Sequence, residues 1–314
     1  MQIPHFFRFG VVSFIASDRQ QWQQRARDLE AMGYDILLVP DHLHEQFSPL
    51  LAALSAAEAT EHLRVGTFVC AAGLRHPVLL AKEAATLGVL TEGRFELGLG
   101  AGWLAQDYHP LGIDFGDPAI RAARFEESLE IITALLNGST LHYEGAHYRV
   151  EKHKTDPPPT LDQRVPVLAG GGGRRILTVA ARSADIISFT MRSKPDGSGF
   201  DPTSASAVTL TRQVQWVEKA ARGRSVPPER NLLLQAVLIG AKDAAVQHAS
   251  KMFGIPEGLV RETPHLAVGP LEEVVDTLIA RREEFGITYL AVFDQYADAF
   301  APVIERLTAE GLTI

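Results

Sequence analysis

The chain has 314 residues but only one cysteine, Cys70. An internal disulfide framework is excluded, and the usage fits a reducing compartment. Long apolar runs are also missing: none reaches the roughly 18 residues of a membrane span. The opening MQIPHFFRFG lacks the basic region and apolar core of a secretion signal, so a cytoplasmic protein is expected. Positive charge is in deficit, with 30 Lys and Arg against 38 Asp and Glu and a formal charge of −8. That balance argues against nucleic acid and against an anionic membrane as partners. Finally, there is no standard dinucleotide fingerprint. G-x-G-x-x-G, laid on GLGAGW from Gly98, meets Trp103 at its last glycine; laid on the run from Gly170, it meets Arg175.

What the chain does have is apolar content, 46% of its residues, enough for a sizeable core. This content is organised as strand, loop, helix, repeated. RFGVVSF, YDILLVP, LRVGTFVC, RFELGLG, VPVLA, ADIISF, LLLQAVLIG and ITYLAVF are short runs, most of them uniformly apolar. Strands apolar on both faces belong to a parallel sheet covered by helices. Between them, Ser17 or Asp18 can cap a helix carrying Trp22, Ala26, Leu29 and Met32, and Gly33 suits its end. Helices are also expected over about 49–60, from Pro77, and over about 120–137. Met32–Asp41 and Phe285–Asp294 echo each other as glycine, apolar strand, aspartate. Eight β/α units in this length predict a TIM (β/α)8 barrel spanning 1–314 as one domain. A doubly wound sheet is the rival, without its fingerprint. Two stretches fall outside the bare barrel: about 139–165, read as a hairpin with a proline-rich connection, and 191–206, polar and glycine-rich as a loop over a site would be.

Barrel chemistry sits at the C-terminal ends of strands. Asp41 and His42 follow the second strand and together are the acid–base, catalytic candidate, since a histidine can give or accept a proton near neutral pH; the alternative is a histidine capping the following loop. His42-x-His44 has metal spacing, but no further ligands lie nearby in sequence, so no metal is expected. Gly170–Gly173 follow the fifth strand and precede a helix. Free N–H groups at a helix start, with Arg174 or Arg175 adding charge, make an anion site; the alternative is a glycine-rich turn with arginines in solvent.

The segments FGV, GYDILLVPDH, RVGTFV, RHPVLLAKEAATLGVLTEGRFELGLGAGW, RFEESLEII and VPVLAGGGGRRIL resemble the luciferase-like flavin- or deazaflavin-dependent oxidoreductases over nearly the whole chain. The combination looks most like the subgroup dependent on coenzyme F420, an 8-hydroxy-5-deazaflavin. The resemblance implies a barrel with insertions, often a homodimer, with the cofactor over its mouth. It implies a non-proline cis peptide at Phe68-Val69, bulging against the cofactor ring, with Thr67, Phe68 and Val69 contacting the cofactor. Asp41 would face the ring edge, and His42 would match the catalytic histidine of the sugar-phosphate dehydrogenases. Gly100, Ala101, Gly102, Trp103 and Gln106 would line the cofactor. Ala169, Gly170, Gly171, Gly172, Gly173 and Arg174 or Arg175 would take its phosphate. Trp103 stands where those dehydrogenases carry a catalytic glutamate, so sugar-phosphate oxidation is doubtful. The expected activity is hydride transfer between F420 and a small organic substrate, such as an activated C=C or C=N bond, with Trp103, Tyr108 and His109 toward the substrate. An FMN-dependent two-component monooxygenase and a non-catalytic flavin-binding barrel are the alternatives.

Overall fold

Short strands buried on both faces need partners on both edges and helices covering the outer face of the sheet. A computed structural model describes residues 6–14, 17–44, 46–158 and 163–313. The first five residues of the N-terminal stretch, and 159–162 of the proline-rich connection, lie outside the described residues. The barrel strands are β1 (Arg8–Val12), β2 (Ile36–Val39), β3 (Arg64–Thr67), β4 (Phe95–Gly100), β5 (Val167–Gly171), β6 (Ile186–Phe189), β7 (Glu229–Leu234) and β8 (Tyr289–Phe293). Their order is β3-β2-β1-β8-β7-β6-β5-β4. Val65 against Phe95 and Gly66 against Glu96 close the ring. Every barrel pairing is parallel. This is the expected TIM barrel. Strand β3 is broken by a cis peptide at Phe68-Val69 and resumes against β4 at Cys70–Ala71.

The local signals read from the sequence act as expected. Asp18 caps the helix Arg19–Ala31 by accepting the Gln21 N–H. Pro77 opens the helix Pro77–Leu90, and Pro118, which the sequence reading did not single out, opens Pro118–Leu136; at either place a proline loses no helical hydrogen bond. The echo of the two aspartates also has a structural counterpart. Asp41 and Asp294 both end a barrel strand, both are buried, and both are ion-paired, with Arg75 and Arg25.

One expected strand is two. LLLQAVLIG splits at Gln235, because Leu234 is the last residue of β7 with a partner on β8. The chain then leaves the barrel, and Ala236–Ile239 pairs in parallel with Leu266–Gly269 as a separate two-stranded sheet. Ala236, Val246, Ala249, Val260 and Leu266 give that sheet its own small core. The 139–165 insertion contains an antiparallel hairpin, Leu141–Glu144 with Arg149–His153. The Glu127 carboxylate anchors its turn by accepting the N–H groups of Ala146, His147 and Tyr148 at 2.8, 3.0 and 3.0 Å. The 191–206 loop is held by a bridge between Ser193 and Phe200 and a short turn at Pro202–Ser204. Among the described residues, no helix is long and apolar enough to cross a membrane.

The N-terminal end of the barrel is plugged by charge. Arg8 pairs with Glu96 and, at 2.8 Å, with Glu229; Arg64 reaches Glu96 at 2.7 Å. The Arg8 guanidinium lies 4.0 Å over the Tyr289 ring. Burial would raise the Glu96 carboxyl, but Arg8 and Arg64 outweigh it and hold it below the ordinary value. A carboxyl whose folded pKa lies below its unfolded one adds stability above the ordinary glutamate pKa and loses it as pH falls through the folded value. Glu96→Gln leaves Arg8 buried without full compensation, so urea denaturation at pH 7 is expected to show a loss of about 3–5 kcal/mol. The gap to the parent chain should narrow as pH falls below about 4.3. A variant as stable as the parent at pH 7 would remove the plug from the account.

Candidate active site

At the opposite end, the site begins with backbones that touch. A Cβ on Gly98 would lie 2.0 Å from the Thr67 carbonyl oxygen, and one on Gly100 would lie 2.5 Å from the Val69 side chain. Thr67 is fully buried. Its hydroxyl donates to the Gly98 carbonyl and accepts the Gly98 N–H, each at 2.9 Å. Thr67 was expected to contact the cofactor; its side chain is instead spent on the strand beside it. Phe68 and Val69 stay partly buried, packed on the apolar interior of the barrel. The glycines of GLGAG, expected to admit a ligand, are required first by the neighbouring strand.

Asp41 holds the resumed half of β3. It is 5% exposed, accepts the Ala71 N–H at 3.2 Å and pairs with Arg75. Its carboxylate is thus committed to the protein, where a residue facing a ring edge was expected. Burial, with Asp41 alongside, pushes the Cys70 thiol up to about 12, so the one cysteine is not a nucleophile near neutral pH.

His42 has a partner that the sequence reading did not name. Its Nδ1 lies 2.7 Å from Oδ2 of Asp107, and the other oxygen of Asp107 accepts the Leu43 N–H at 3.0 Å. Asp107 is 4% exposed and sits in the short turn Ala105–Asp107 after β4. It is the one carboxylate between Gly100 and Ile113, which is the signal that could have flagged it. A carboxylate fixed at both oxygens sets the orientation of the imidazole and its tautomer, with Nδ1 protonated and Nε2 left to exchange a proton. Four rings run in a row here. His44 stacks on His42 at 5.0 Å, Trp103 meets His42 edge-on at 5.7 Å, and Phe200 of the 191–206 loop lies 4.8 Å from Trp103. Asp107 also corrects the expectation that His42 and His44 lack a third ligand: ligand atoms of the three residues lie within 4.8 Å of one another.

Tyr108, expected toward the substrate, is buried in the protein. It is 1% exposed, packed under Gly73 and Gly102, and a Cβ on Gly102, whose φ is +79°, would lie 2.0 Å from its hydroxyl. Burial pushes its phenol up to about 12. His109 and Gln106 are exposed at the rim, and Ala101 packs on the core.

The glycine run turns out to be divided in role. A Cβ on Gly170 would lie 2.0 Å from the Ser188 carbonyl oxygen, and one on Gly172 would lie 2.5 Å from the Arg192 nitrogen; a Cβ on Gly173 would meet open space. Ala169 is fully buried, so its side chain serves the core. Gly171 is half-buried with Ile176 3.0 Å from a would-be Cβ. The helix Arg174–Ser183 starts at Gly173 with no side-chain cap, leaving its first N–H groups to an anion. Arg175 turns away, donating to Glu126 at 3.1 Å and to the Ala119 carbonyl at 3.3 Å. Arg174 is exposed and has no ion-pair partner among the described residues. Of the two arginines, Arg174 is the one available for a phosphate.

A family model described as luciferase-like monooxygenase matches residues 7–289. An F420-dependent glucose-6-phosphate dehydrogenase from Microbacterium testaceum is 32% identical over 238 residues, 71% of this chain and 66% of that protein. A 4-hydroxyprotoasukamycin monooxygenase from Streptomyces nodosus subsp. asukaensis is 42% identical over 114 residues, 35% of this chain and 30% of that protein. Each match spans less than two thirds of the curated relative's own length. The solved structure of a coenzyme F420-dependent tetrahydromethanopterin reductase from Methanopyrus kandleri superposes with a TM-score of 0.76 over 97% of this chain and 99% of that one. At 16% identity, that likeness is one of fold.

The two ends of the glycine run should respond differently to the same change. Gly170→Ala is expected to lower the thermal midpoint by several degrees or prevent folding, since its Cβ meets backbone. Gly173→Ala should stay close to the parent in the same melts. Equal midpoints for both would contradict the division of roles.

Proposed function

Because the chain belongs to the luciferase-like monooxygenase family, we propose that it is an oxidoreductase using coenzyme F420 for hydride transfer to or from a small organic substrate. Reduction of an activated C=C or C=N bond is the reaction we favour. The observation that carries the reading is the His42–Asp107 pair at the barrel mouth, 2.7 Å apart, with an uncapped helix start on another strand of the same mouth.

The residues present fit the cofactor. The open space at Gly173, the uncapped helix start and unpartnered Arg174 would receive a phosphate. The partly buried Phe68 and Val69 offer an apolar surface to a ring. Coenzyme F420, when bound, supplies or accepts the hydride. The protein's own part is positional. Asp107 orients His42, and Nε2 of His42 gives or takes the proton that accompanies hydride transfer. Trp103 and Phe200 wall the approach and shed water. Asp41 and Arg75 keep the broken strand under the ring site in place. A homodimer in the cytoplasm belongs to the same proposal, and the single buried cysteine supports the compartment.

A second reading, an FMN-dependent monooxygenase, draws on the likeness to the asukamycin-type monooxygenase. Against a non-catalytic flavin barrel stands a histidine oriented by a carboxylate whose other oxygen is itself fixed by the Leu43 N–H.

Fluorescence titration of the purified chain with F420 and, separately, with FMN tests the reading. Saturable binding of F420 is expected; tight FMN binding with none of F420 would overturn it. Arg174→Ala should weaken F420 binding by roughly tenfold or more, the loss of a charge-assisted contact, whereas Arg175→Ala should change it less than about threefold. His42→Ala should still bind F420 saturably and lose about 10²–10⁴ in turnover. An unimpaired His42→Ala enzyme would remove His42 from the mechanism.

A further inference from the structure

We propose that His42, His44 and Asp107 form a divalent transition-metal site at the barrel mouth, suited to Zn²⁺, and that filling it takes His42 out of proton transfer. The binding rests on geometry alone. Its consequence for turnover rests on the proton role given to His42 above.

Two imidazoles and one carboxylate are a donor set for zinc and its neighbours, and three protein ligands leave a fourth position for water. The three come from two loops. His42 and His44 lie two residues apart after β2, and Asp107 crosses from the turn after β4. Their ligand atoms lie within 4.8 Å of one another. Zinc bonds of about 2.0–2.2 Å in a tetrahedron place ligand atoms roughly 3.3 Å apart. The 2.7 Å between His42 Nδ1 and Asp107 Oδ2 needs only to open slightly. The remaining gap is closed by His44, whose exposed ring leaves its stack on His42 by turning about χ1 and χ2. The Asp107 oxygen that takes the Leu43 N–H keeps its bond, so the carboxylate enters the site already oriented.

The same contacts explain why occupancy would matter. In the metal-free chain, the hydrogen bond from His42 to Asp107 sets the tautomer. Binding at Nδ1 exchanges that hydrogen bond for two metal bonds, and the neutral imidazole changes tautomer, its one proton moving from Nδ1 to Nε2. With Nδ1 on the metal and Nε2 carrying the proton, the ring has no lone pair left to accept a proton. Giving up the Nε2 proton would leave an imidazolate, so the ring is a far weaker acid than the imidazolium of the metal-free chain. The site would act as an inhibitory metal switch laid over the catalytic pair.

Equilibrium dialysis of the chelator-washed full chain against ZnCl₂, with Co²⁺ as a visible-absorption probe, tests this. One Zn²⁺ per chain is expected, with Co²⁺ giving the intense visible bands of a low-coordinate N/O site. His44→Ala and Asp107→Asn should each weaken binding by roughly tenfold or more, with circular dichroism unchanged. Equal zinc affinity and stoichiometry in His44→Ala and the parent would overturn the proposal, because the ion would then sit on other surface histidines. So would a parent chain that retains no more zinc than a His42→Ala/His44→Ala double variant. Zinc binding does not depend on F420, so a chain that binds zinc but not F420 keeps this site and loses the proposed cofactor.

Discussion

Strands β3 and β4 close the barrel only because each presents hydrogen atoms where side chains would stand. Gly66 would place a Cβ 2.6 Å from the Glu96 carbonyl oxygen, and Gly98 would place one 2.0 Å from that of Thr67. No side chain fits at either distance, and backbone cannot yield as the end of a long side chain can. The Thr67 hydroxyl, bonded in both directions to Gly98, then fixes the register of the seam. The rest of the mouth is built on this contact.

The consequences run outward from it. Val69 packs into the space left by Gly100, and the strand resumes at Cys70 under the grip of Asp41 and Arg75. Beyond β4, the chain needs a left-handed residue at Gly102, directly over the buried Tyr108. That turn sets the direction of the following loop and brings Asp107 to His42. The glycine-rich appearance of this loop is therefore a requirement of packing, and the chemistry is carried by the residues the packing positions. The same division holds at the second glycine run, where Gly170 and Gly172 serve neighbouring backbone and only the helix start at Gly173 and Arg174 faces outward.

The barrel was legible because its strands are short, apolar on both faces and separated by good helix caps, and these are local properties. Asp18 and Pro77 announce their helices within a turn. Gln235 did not announce a break, because the apolar run continues across it; what draws the chain off the barrel there is the Gln235 N–H donating to the His265 carbonyl at 2.7 Å, thirty residues away. The site was legible to the same depth. His42 and the helix start at Arg174 stood out by position. Asp107 did not, since its meaning comes from a contact across 65 positions. Tyr108 looked like a substrate contact because it neighbours the site in sequence, yet one residue along a tight turn reverses the direction of a side chain. Arg174 and Arg175 could not be separated until Glu126 was seen to claim the second.

The account's central claim is that this seam builds one mouth in which a deazaflavin phosphate meets the start of the Arg174–Ser183 helix while its ring lies between Phe68-Val69 and His42. A crystal structure of the chain with F420 tests it most directly. Phosphate density at the Gly173–Arg174 N–H groups, with the ring within contact of Val69 and His42, is the result the account predicts. Phosphate bound away from that helix start, or a ring outside the barrel mouth, would contradict it.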